Sequence, residues 1–409
     1  MEKAIDHTST VVLSSDELRK GMYVSYLDRP WLETSFPFKG FEIKTDKELE
    51  QLQTTCEYVF IDADRGQQKD GYQRYVESRT RQGQAPVETV AGLARWEITS
   101  TTEDEFPAAS EAVAGLRRSV IGLFGAATRR ESLDIDSLRA AAEPLRHSLE
   151  RCPDSALYVI RTTDSGDYLY RHAVSCAVMG MILGRAVGLP DKVIEVLGVG
   201  CALLDIGKTR VAQELLNRPN SIALSSGEMV QLRRHVAHSI ELVSASPGSD
   251  SRLLEIIASH HERHDGRGYP EGLSDRDIPL TGRIAGMVDF FDAMISQRSY
   301  GRRATPNEAM RYIRQQRNKD FCAQLTDQFV QIFRLYPTGS LVEHSDGSVG
   351  RVIQQHPTAL LAPRVQLILD ADKERLHEYV TIDTSRIVDE AGAVCIHKCL
   401  KPGSYGIDG

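Results

Sequence analysis

The segment GMVDFFDAM, residues 286–294, places two aspartates in a run of otherwise apolar residues that favours a buried helix. A carboxylate inside such a helix costs free energy unless another group pairs with it. Asp289 therefore needs a partner from elsewhere in the chain, and so does Asp205, which lies near the end of the apolar stretch GVGCALLDIGK. Histidines that share a metal ion with these carboxylates would satisfy both. The fold must then bring distant helices together around one polar site.

The overall charge and the cysteine pattern exclude several classes of partner and compartment. The 409 residues carry a formal net charge of -8 and no long basic run, so neither duplex nucleic acid nor an anionic membrane is an expected partner. No stretch approaches the roughly 20 apolar residues of a membrane-spanning helix. The seven cysteines are odd in number and mostly scattered, which favours a reducing cytoplasm over a disulfide framework.

Changes in hydrophobic periodicity divide the chain into five parts and predict a mainly α fold. In order, these are a small N-terminal α+β domain, a polar linker, a connecting helix, an all-helical domain and a small C-terminal β module: residues 1–66, 67–107, 108–136, 137–335 and 336–409. The β module is expected to begin with a hairpin at Ser345-Asp346-Gly347-Ser348. Within the helical part, further helices are expected around residues 165–188, 191–205, 225–245, 251–262, 279–296 and 305–335.

Six residues of the helical part have side chains that bind hard or borderline metals. Taken singly, a helical His is more often a surface or hydrogen-bonded core residue, and an Asp at a helix end is usually a cap. The set favours a metal site, because a His pair, a DxGK sequence and an Asp within an apolar helix occur in one all-helical segment. Lys208, three residues after Asp205, is expected on the same helix face. The six candidates are His172, Asp205, His235, His260, His261 and Asp289.

Five separated motifs of this segment resemble the HD-GYP family in order and spacing. The resemblance covers about residues 137 to 335 and implies an HD-type all-helical phosphohydrolase domain. Residues 9–66 look like the small domain of unknown function that often precedes HD-GYP domains in bacteria, and the β tail is similar to the segment on their C-terminal side. The motifs are His172, Asp205-Ile-Gly-Lys208, His235, His260-His261-Glu262 followed by DGRGYP, and Asp289 followed by FFDAM.

The resemblance implies a cyclic di-GMP phosphodiesterase of bacterial second-messenger signalling. HD-GYP proteins hydrolyse cyclic di-GMP to the linear dinucleotide or to GMP at a buried centre of two or three metals, usually iron or manganese. Carried over to this sequence, the six candidates would be the ligands, with Asp205 as the bridging carboxylate, and the centre would hold two metal ions or one. Metals of such a centre acidify a water and stabilise charge on the phosphoryl oxygens.

The resemblance also implies residues that contact the substrate. Lys208 would hold a phosphate oxygen, and Arg298, nine residues after Asp289, matches a position that contacts the substrate phosphate. The loop Gly268-Tyr269-Pro270 would lie beside the substrate groove, and in the family it is also proposed to bind partner proteins. The plainer interpretations are a solvated helix-end lysine for Lys208 and a surface ion pair for Arg298.

Two positions depart from the family pattern. The name-giving His-Asp pair is here Leu204-Asp205, and the Glu that fuller metal sets carry four residues before His172 is here Tyr168. Leu cannot coordinate a metal, and a Tyr hydroxyl, with an ordinary pKa of about 10, is a poor ligand at neutral pH. Even changes around metal ligands typically cost about 10–100-fold in metal affinity or activity, so a missing imidazole should cost at least that.

Two functions of different classes therefore remain open. The first is a metal-dependent phosphodiesterase acting on cyclic di-GMP, weakened by the missing imidazole; the retained ligands and the DIGK and GYP sequences favour it. The second is a catalytically inactive relative that binds cyclic di-GMP or a partner protein as a regulatory module; Leu204 together with Tyr168 favours it. A nucleotidase of the wider HD superfamily is less favoured, because that group depends more directly on the His-Asp pair.

Overall fold

The structure is a computed structural model. It describes residues 10–27, 34, 36, 40–56, 58–62, 98–163, 167–218, 222–296, 304–356, 361–384 and 395–407. Across these residues, helices fill the middle of the chain and antiparallel sheets lie at its two ends. The predicted fold class, mainly α with a small N-terminal α+β unit and a C-terminal β module, is confirmed. No helix in the described part of the chain combines the length and the apolar character needed to cross a membrane.

The N-terminal unit is a four-stranded antiparallel sheet with one helix. Its elements are β1 (Thr10–Ser14), β2 (Tyr23–Leu27), β3 (Phe41–Glu42), α1 (Asp46–Thr55) and β4 (Tyr58–Asp62), and the strands are ordered β1-β4-β2-β3. A capping box starts α1: the Thr45 hydroxyl accepts the N–H of Glu48, and the Glu48 carboxylate accepts the N–H of Thr45. The unit has its own small core, which includes Leu13, Leu18, Val24, Leu52 and Ile61.

The middle region consists of packed helices. Pro144 lies inside α3, and a 3₁₀ turn, Ile206–Arg210, follows α6. The helices are α2 (Thr102–Arg129), α3 (Ile135–Arg151), α4 (Pro153–Thr162), α5 (Tyr168–Ala186), α6 (Asp191–Leu203), α7 (Gln213–Leu216), α8 (Ser226–Arg233), α9 (His235–Ser244), α10 (Ser251–Ser259), α11 (Leu280–Ile295), α12 (Pro306–Gln315) and α13 (Ala323–Phe333).

Three predicted helix boundaries differ from the structure. Helix α2 starts at Thr102, earlier than residue 108, because the Thr101 hydroxyl accepts the N–H of Asp104 and caps the helix there. The helix predicted over 225–245 is two helices, α8 and α9, that meet at Arg234. The helix predicted over 305–335 is also two, α12 and α13; between them Asn318 adopts a left-handed backbone with φ of 59°, which no α-helix accommodates.

Close packing of α5 against α6 positions the polar site. A Cβ on Gly180 of α5 would lie 2.7 Å from the Sγ of Cys201 on α6, so the two helices approach closely because glycine stands there. The short connection 187–190 makes these helices antiparallel neighbours. The N-terminal end of α5, with His172, therefore lies beside the C-terminal end of α6, which leads into Asp205.

The C-terminal module is a five-stranded antiparallel sheet. Its strands are β5 (Leu341–His344), β6 (Val349–Gln354), β7 (Arg364–Leu369), β8 (Arg375–Asp383) and β9 (Ile396–Cys399), ordered β8-β7-β6-β5-β9. The predicted hairpin is confirmed, since β5 pairs with β6 and Gly347 in the turn has a φ of +90°. Val342, Val352 and Val365 belong to the same hydrophobic core as the helices, so the module packs directly on the helical region.

Candidate metal centre

The structure brings all six predicted ligand residues to one end of the helical region. His172 lies in α5, Asp289 in α11, and Asp205 directly follows α6; His235 begins α9, and His260 and His261 directly follow α10. Five of the six are at least nine-tenths buried, and His261 is partly buried. Residues that are far apart in sequence thus form a single polar cluster among apolar helices. Their donor atoms fall into two groups, with Asp205 between them.

The first group contains three histidines. The ligand atoms of His235, His260 and His261 all lie within 4.8 Å of one another. The Nε2 atoms of His235 and His261 are 3.1 Å apart, and the ring centroids of His260 and His261 are 4.0 Å apart. Three imidazoles converging on so small a volume form a donor set typical of a transition-metal site.

Backbone hydrogen bonds set the tautomers of two of these rings. The Nδ1 of His235 lies 2.7 Å from the carbonyl oxygen of Leu232, and the Nδ1 of His260 lies 2.7 Å from that of Ile257. Because a carbonyl only accepts, each Nδ1 carries the proton and each Nε2 keeps its lone pair. The Nε2 of His260 is buried and has no hydrogen-bond partner among the described residues. An oriented, unpaired imidazole nitrogen of this kind fits a metal ion.

Burial also keeps this group neutral. It lowers the pKa of His260 to about 4. Burial, and then the adjacent His260 and His235 rings, hold the pKa of His261 well below its usual value. The pKa of His235 is lowered too, again chiefly by burial. Neutral imidazole is the form that binds metal, so the group is ready to do so at neutral pH.

The second group contains His172, Asp289 and a residue not anticipated from the sequence, Cys176. Their donor atoms lie within 4.8 Å of one another. The Nε2 of His172 is 3.0 Å from Oδ1 of Asp289 and 3.7 Å from the Sγ of Cys176. Cys176 follows His172 by four residues, so both lie on one face of α5. That spacing was visible in the sequence, but a lone cysteine in an apolar helix is ordinarily a core residue.

The protonation of His172 in this group is controlled by its neighbours. Burial by itself lowers the pKa of His172, whereas hydrogen bonds to Asp289 and Asp292 raise it, and the result lies well above the ordinary value. A metal ion bound at Nε2 would therefore have to compete with a proton for that nitrogen.

Asp205 lies between the two groups and faces both. Its Oδ2 is 3.6 Å from Nε2 of His172, and its Oδ1 is 3.5 Å from Nε2 of His235. Oδ1 is buried and has no hydrogen-bond partner in the structure. Burial tends to raise the pKa of this carboxyl, but Lys208, His235 and His172 together hold it well below its ordinary value. An ionised carboxylate with one oxygen toward each donor group has the geometry of a bridging ligand.

Lys208 is tied to the same carboxylate. It lies on the 3₁₀ turn after α6, and its ammonium group pairs with Oδ2 of Asp205. The side chain is 16% exposed, so the cation stands between the buried carboxylate and the surface. A phosphate that approached the cluster from that side would meet this ammonium group first.

A further network supports His172 from behind and was also not assigned from the sequence. The Nδ1 of His172 lies 2.7 Å from Oδ2 of Asp292, and Nη1 of Arg161 donates to Oδ1 of Asp292 over 2.8 Å. The Ser296 hydroxyl donates to Oδ2 of Asp292 over 3.0 Å. Although burial raises the pKa of Asp292, Arg161 and His172 lower it to about 2. Asp292 is thus an ionised anchor that directs Nε2 of His172 into the cluster.

The two positions that depart from the family pattern offer no metal ligand of the expected kind. Leu204 is 1% exposed and belongs to the hydrophobic core, while its carbonyl accepts the Ser239 hydroxyl over 2.8 Å. The ring of Tyr168 stacks on that of His172, with centroids 5.3 Å apart and planes 14° apart. The second group therefore lacks an imidazole at position 204 and a carboxylate at position 168.

The loop Gly268-Tyr269-Pro270 covers the histidine group. The Tyr269 ring stacks on His261 at a centroid distance of 4.5 Å, and the Arg233 guanidinium lies 4.6 Å from the centroid of the same Tyr269 ring. The Tyr269-Pro270 bond is cis. A Cβ on Gly268 would lie 2.4 Å from the Cα of Glu262, so only glycine fits there. The loop and the histidine pair are therefore held as one unit.

Arg298, the other predicted substrate contact, lies outside the described residues.

Comparison with known families agrees with this geometry. The family model of the "HD domain" matches residues 165–325, and that of a "Domain of unknown function (DUF3391)" matches residues 11–138. The chain thus contains a segment that matches an HD domain, preceded by a segment that matches DUF3391. The matched HD segment contains every candidate ligand, whereas the His of its name-giving pair is replaced by Leu204. HD domains bind metal ions through such His and Asp clusters, which the two donor groups fit.

The curated proteins to which this chain is similar include bacterial phosphodiesterases. The chain is 29% identical to the cyclic di-GMP phosphodiesterase PA4108 of Pseudomonas aeruginosa over 357 residues, which are 87% of this chain and 84% of that protein. It is 31% identical to the cyclic di-GMP phosphodiesterase response regulator RpfG of Xanthomonas campestris over 199 residues, 48% of this chain and 50% of that protein. The solved structure of Bd1817, a HDG"Y"P protein from Bdellovibrio bacteriovorus, matches 78% of this chain and 98% of its own, with 16% identity and a TM-score of 0.47.

Proposed function

We propose that this protein is a metal-dependent phosphodiesterase of HD-GYP type that hydrolyses cyclic di-GMP to the linear dinucleotide or to GMP. The observation that carries the proposal is the position of Asp205, whose two carboxylate oxygens lie 3.6 Å and 3.5 Å from imidazole nitrogens of the two donor groups. The similarity to PA4108, which spans 87% of the chain, supports the substrate. All seven cysteines are free, which supports the reducing cytoplasm expected from the sequence.

Two transition-metal ions, iron or manganese, would be held on either side of Asp205. His235, His260 and His261 would bind one ion, and His172 with Asp289 would bind the other. When bound, such ions supply an acidified water and stabilise charge on the phosphoryl oxygens. The chain itself orients the rings, keeps the histidine group neutral and excludes bulk water by burial. Loss of one ion leaves a single-metal site.

We further propose that Cys176 contributes its sulfur where the missing imidazole would have bound. Its Sγ lies 3.7 Å from Nε2 of His172, close to the ~3.6 Å expected for a thiolate and an imidazole on one tetrahedral ion, given bond lengths of about 2.3 and 2.1 Å. Burial raises the pKa of the Cys176 thiol to about 12, so metal would have to displace its proton. A thiolate in this position would favour iron or zinc over manganese.

The substrate phosphate would be held by cations at the edge of the cluster. Lys208 pairs with Asp205 and can exchange that contact for a phosphate oxygen. Arg298 would supply a second cation, and the Gly268-Tyr269-Pro270 loop would border the groove. Because the loop stacks on His261 through Tyr269, a partner protein bound to it would act on the histidine group directly.

The alternative is a catalytically inactive relative that binds cyclic di-GMP or a partner protein as a regulatory module. The buried, apolar Leu204 favours this alternative, since nothing in its side chain can bind metal. The two functions differ in one measurable respect. The enzyme requires bound metal and turnover, whereas the module requires only binding.

The deciding experiment measures metal content and cyclic di-GMP hydrolysis on one anaerobically purified sample. The enzyme is expected to carry at least one iron or manganese per chain and to lose all activity in Asp205→Ala. Leu204→His is expected to raise activity by about tenfold or more, because it restores an imidazole. Leu204→Asn is the matched control, polar but without an imidazole, and it should not raise activity. Binding of cyclic di-GMP without metal or turnover would instead establish the regulatory module.

A further inference from the structure

A cavity of about 80 Å³ lies between the helical region and the β module, apart from the donor groups. Its walls include Arg161 of α4, Arg171 and Ser175 of α5, Ser340 before β5 and Arg351 of β6. One bound water needs about 10–15 Å³ of such cavity volume. The cavity therefore has room for about five to eight waters, or for one tetrahedral oxyanion with a few waters.

The described lining of this cavity contains three arginines among apolar and hydroxyl-bearing residues, and none of the described lining residues is Asp or Glu. Arginine stays protonated in proteins, so Arg161, Arg171 and Arg351 are all cations. Arg161 is paired with Asp292. Ser175 and Ser340 are both 4% exposed and add hydroxyl donors to the same walls. Guanidinium groups with hydroxyls around a small enclosed volume form a phosphate-binding environment.

Arg351 illustrates how the cavity is built. It is 7% exposed, and its Nη1 donates to the carbonyl oxygen of Gly339 over 3.2 Å. Burial lowers the pKa of this guanidinium, which marks a cation held in a poorly solvated place. The β module therefore holds Arg351 beside the cavity before any ligand arrives.

We propose that this cavity is a binding site for a phosphate group, contacted by Arg171 and Arg351, with Arg161 shared between the phosphate and Asp292. The site goes beyond the proposed hydrolysis, because its residues are separate from the candidate ligands. The same chemistry would recognise inorganic phosphate or the phosphate of a nucleoside monophosphate.

The shared arginine connects the cavity to the candidate metal centre. Nη1 of Arg161 donates to Asp292, which in turn bonds His172. The loop of the β module packs on the same side chain: a Cβ on Gly339, where φ is +88°, would lie 2.3 Å from the Cβ of Arg161. An anion that draws the guanidinium toward the cavity weakens its bond to Asp292. Occupancy of the site then loosens the anchor of His172.

The binding test is calorimetric titration of the full chain, as purified, with inorganic phosphate and separately with GMP, in chloride buffers of matched ionic strength. One saturable site is expected, and it should persist in the double variant Asp205→Ala with Lys208→Gln, which removes the phosphate-binding cation proposed at the metal centre. Arg351→Gln and Arg171→Gln should each weaken binding by about tenfold or more. The exposed Arg252→Gln is the matched control and should leave binding unchanged. Tighter binding of GMP than of inorganic phosphate would identify a phosphate monoester as the ligand. Equal affinities for the two would identify inorganic phosphate as the ligand.

Two outcomes would overturn the site. The first is that wild-type protein shows no saturable phosphate binding. The second is that the double variant combining Arg351→Lys with Arg171→Gln binds phosphate as tightly as wild type. Arg351→Lys serves if Arg351→Gln fails to fold, since it keeps the charge and loses the paired guanidinium contact.

The connection from the cavity through Arg161 and Asp292 to His172 is tested by a separate measurement. This measurement does not require hydrolysis and depends only on the proposed metal site. A chromogenic chelator removes metal from the protein, and the rate is compared with and without a saturating anion. Sulfate replaces phosphate here, because it has the same tetrahedral shape and does not precipitate manganese; competition calorimetry first establishes that it enters the cavity. Removal is expected to be about threefold faster or more with the anion bound. An unchanged rate would show that Arg161 is not shared.

Discussion

The Nδ1 of His172 and the Oδ2 of Asp292 are 2.7 Å apart, although the two residues are separated by 120 positions in the chain. The bond joins α5 to α11 at the point where both helices present donors to the candidate centre. Because Nδ1 is engaged, Nε2 of His172 is the nitrogen that faces Asp289, Asp205 and Cys176. Asp292 therefore orients the His172 ring without being one of the candidate metal ligands itself.

Removing this anchor should weaken metal binding without removing a ligand. We expect Asp292→Ala to reduce metal affinity by about 10–100-fold, the usual effect of losing a carboxylate that orients a metal-bound imidazole. Asp292→Asn keeps an oxygen that accepts from Nδ1 and should retain most of the affinity. Competition with a chelator of known affinity measures both.

A stability control accompanies this comparison, because Asp292→Ala also leaves the Arg161 guanidinium without this partner. Arg161→Met removes that cation while Asp292 remains, and it should reduce metal affinity less than Asp292→Ala does. Equal metal affinity in wild type and Asp292→Ala would show that Asp292 does not orient His172.

The sulfur of Cys176 should be visible in a metal-substituted protein. We expect the cobalt(II) form to show a near-ultraviolet thiolate-to-cobalt charge-transfer band that is absent in Cys176→Ser. Cys201→Ser is the matched control: Cys201 is also a free, buried cysteine of the same core, but it lies on α6 and outside the donor groups. The band should survive in it.

Metal preference gives a second measure of the same role. Losing the soft sulfur donor should shift the ratio of zinc to manganese affinity toward manganese in Cys176→Ser. A cobalt spectrum that is identical in wild type and Cys176→Ser would show that this cysteine is a packing residue only.

Most of the candidate centre could be predicted from the sequence, because the candidate ligands lie in helices, or directly after helices, that have a clear apolar period. Hydrophobic periodicity located those helices, and the motif spacing singled out His172, Asp205 and Asp289, which the structure brings together. Asp292 and Cys176 were within reach of the same reasoning, since each lies within one helical turn of a candidate ligand. No role was assigned to them, because Asp292 lies inside the FFDAM motif without being one of the implied ligands, and a lone Cys in a helix carries no motif.

Other parts of the structure depend on tertiary packing and have no local signal. Arg161 reaches Asp292 only because α4 packs beside α5 and α11, and no sequence spacing relates the two residues. The break at Arg234 interrupts a helix whose apolar period continues through it, and the break at Asn318 lies in the polar run RQQRNKD, residues 314–320, which contains neither Gly nor Pro to mark a helix end. The two-residue strand β3 is too short for any alternating pattern to reveal.

Replacing Gly268 should separate the loop from the histidine pair. A Cβ there would lie 2.4 Å from backbone atoms of Glu262 and Arg263, so Gly268→Ala must shift the loop that places Tyr269 on His261. We expect a loss of about 1–3 kcal/mol in the free energy of unfolding, measured by urea denaturation. Gly227→Ala is the control, because Gly227 lies in α8 with nothing within 4 Å of a new Cβ.

The two alanine variants should therefore change stability in opposite directions. In a helix, Ala is favoured over Gly by about 0.5–1 kcal/mol, so Gly227→Ala should raise the free energy of unfolding slightly. If Gly268→Ala proved as stable as wild type, the close contact with Glu262 would not constrain the loop.

Asp154 should make the junction between helices and β module sensitive to pH. This α4 carboxyl is 3% exposed and accepts the Thr338 hydroxyl and the N–H of Gln355. Burial raises its pKa to about 6, and the hydrogen bonds only partly oppose that rise. The folded state thus favours the protonated carboxyl. The stability that this preference contributes is fully present below the unfolded pKa of about 3.9 and is lost as the pH rises through 6.

The measurement compares wild type with Asp154→Asn by urea denaturation between pH 4 and pH 7.5. Because Asn cannot ionise, the wild-type free energy of unfolding should fall relative to that of the variant by about 2 kcal/mol across this interval, most of it between pH 4 and pH 6. Subtracting the free energy of unfolding of the variant from that of wild type removes the contribution of all other titrating groups, which the two proteins share. A difference that stays constant over the interval, or that grows with pH, would mean that Asp154 is ionised at no cost in the folded protein.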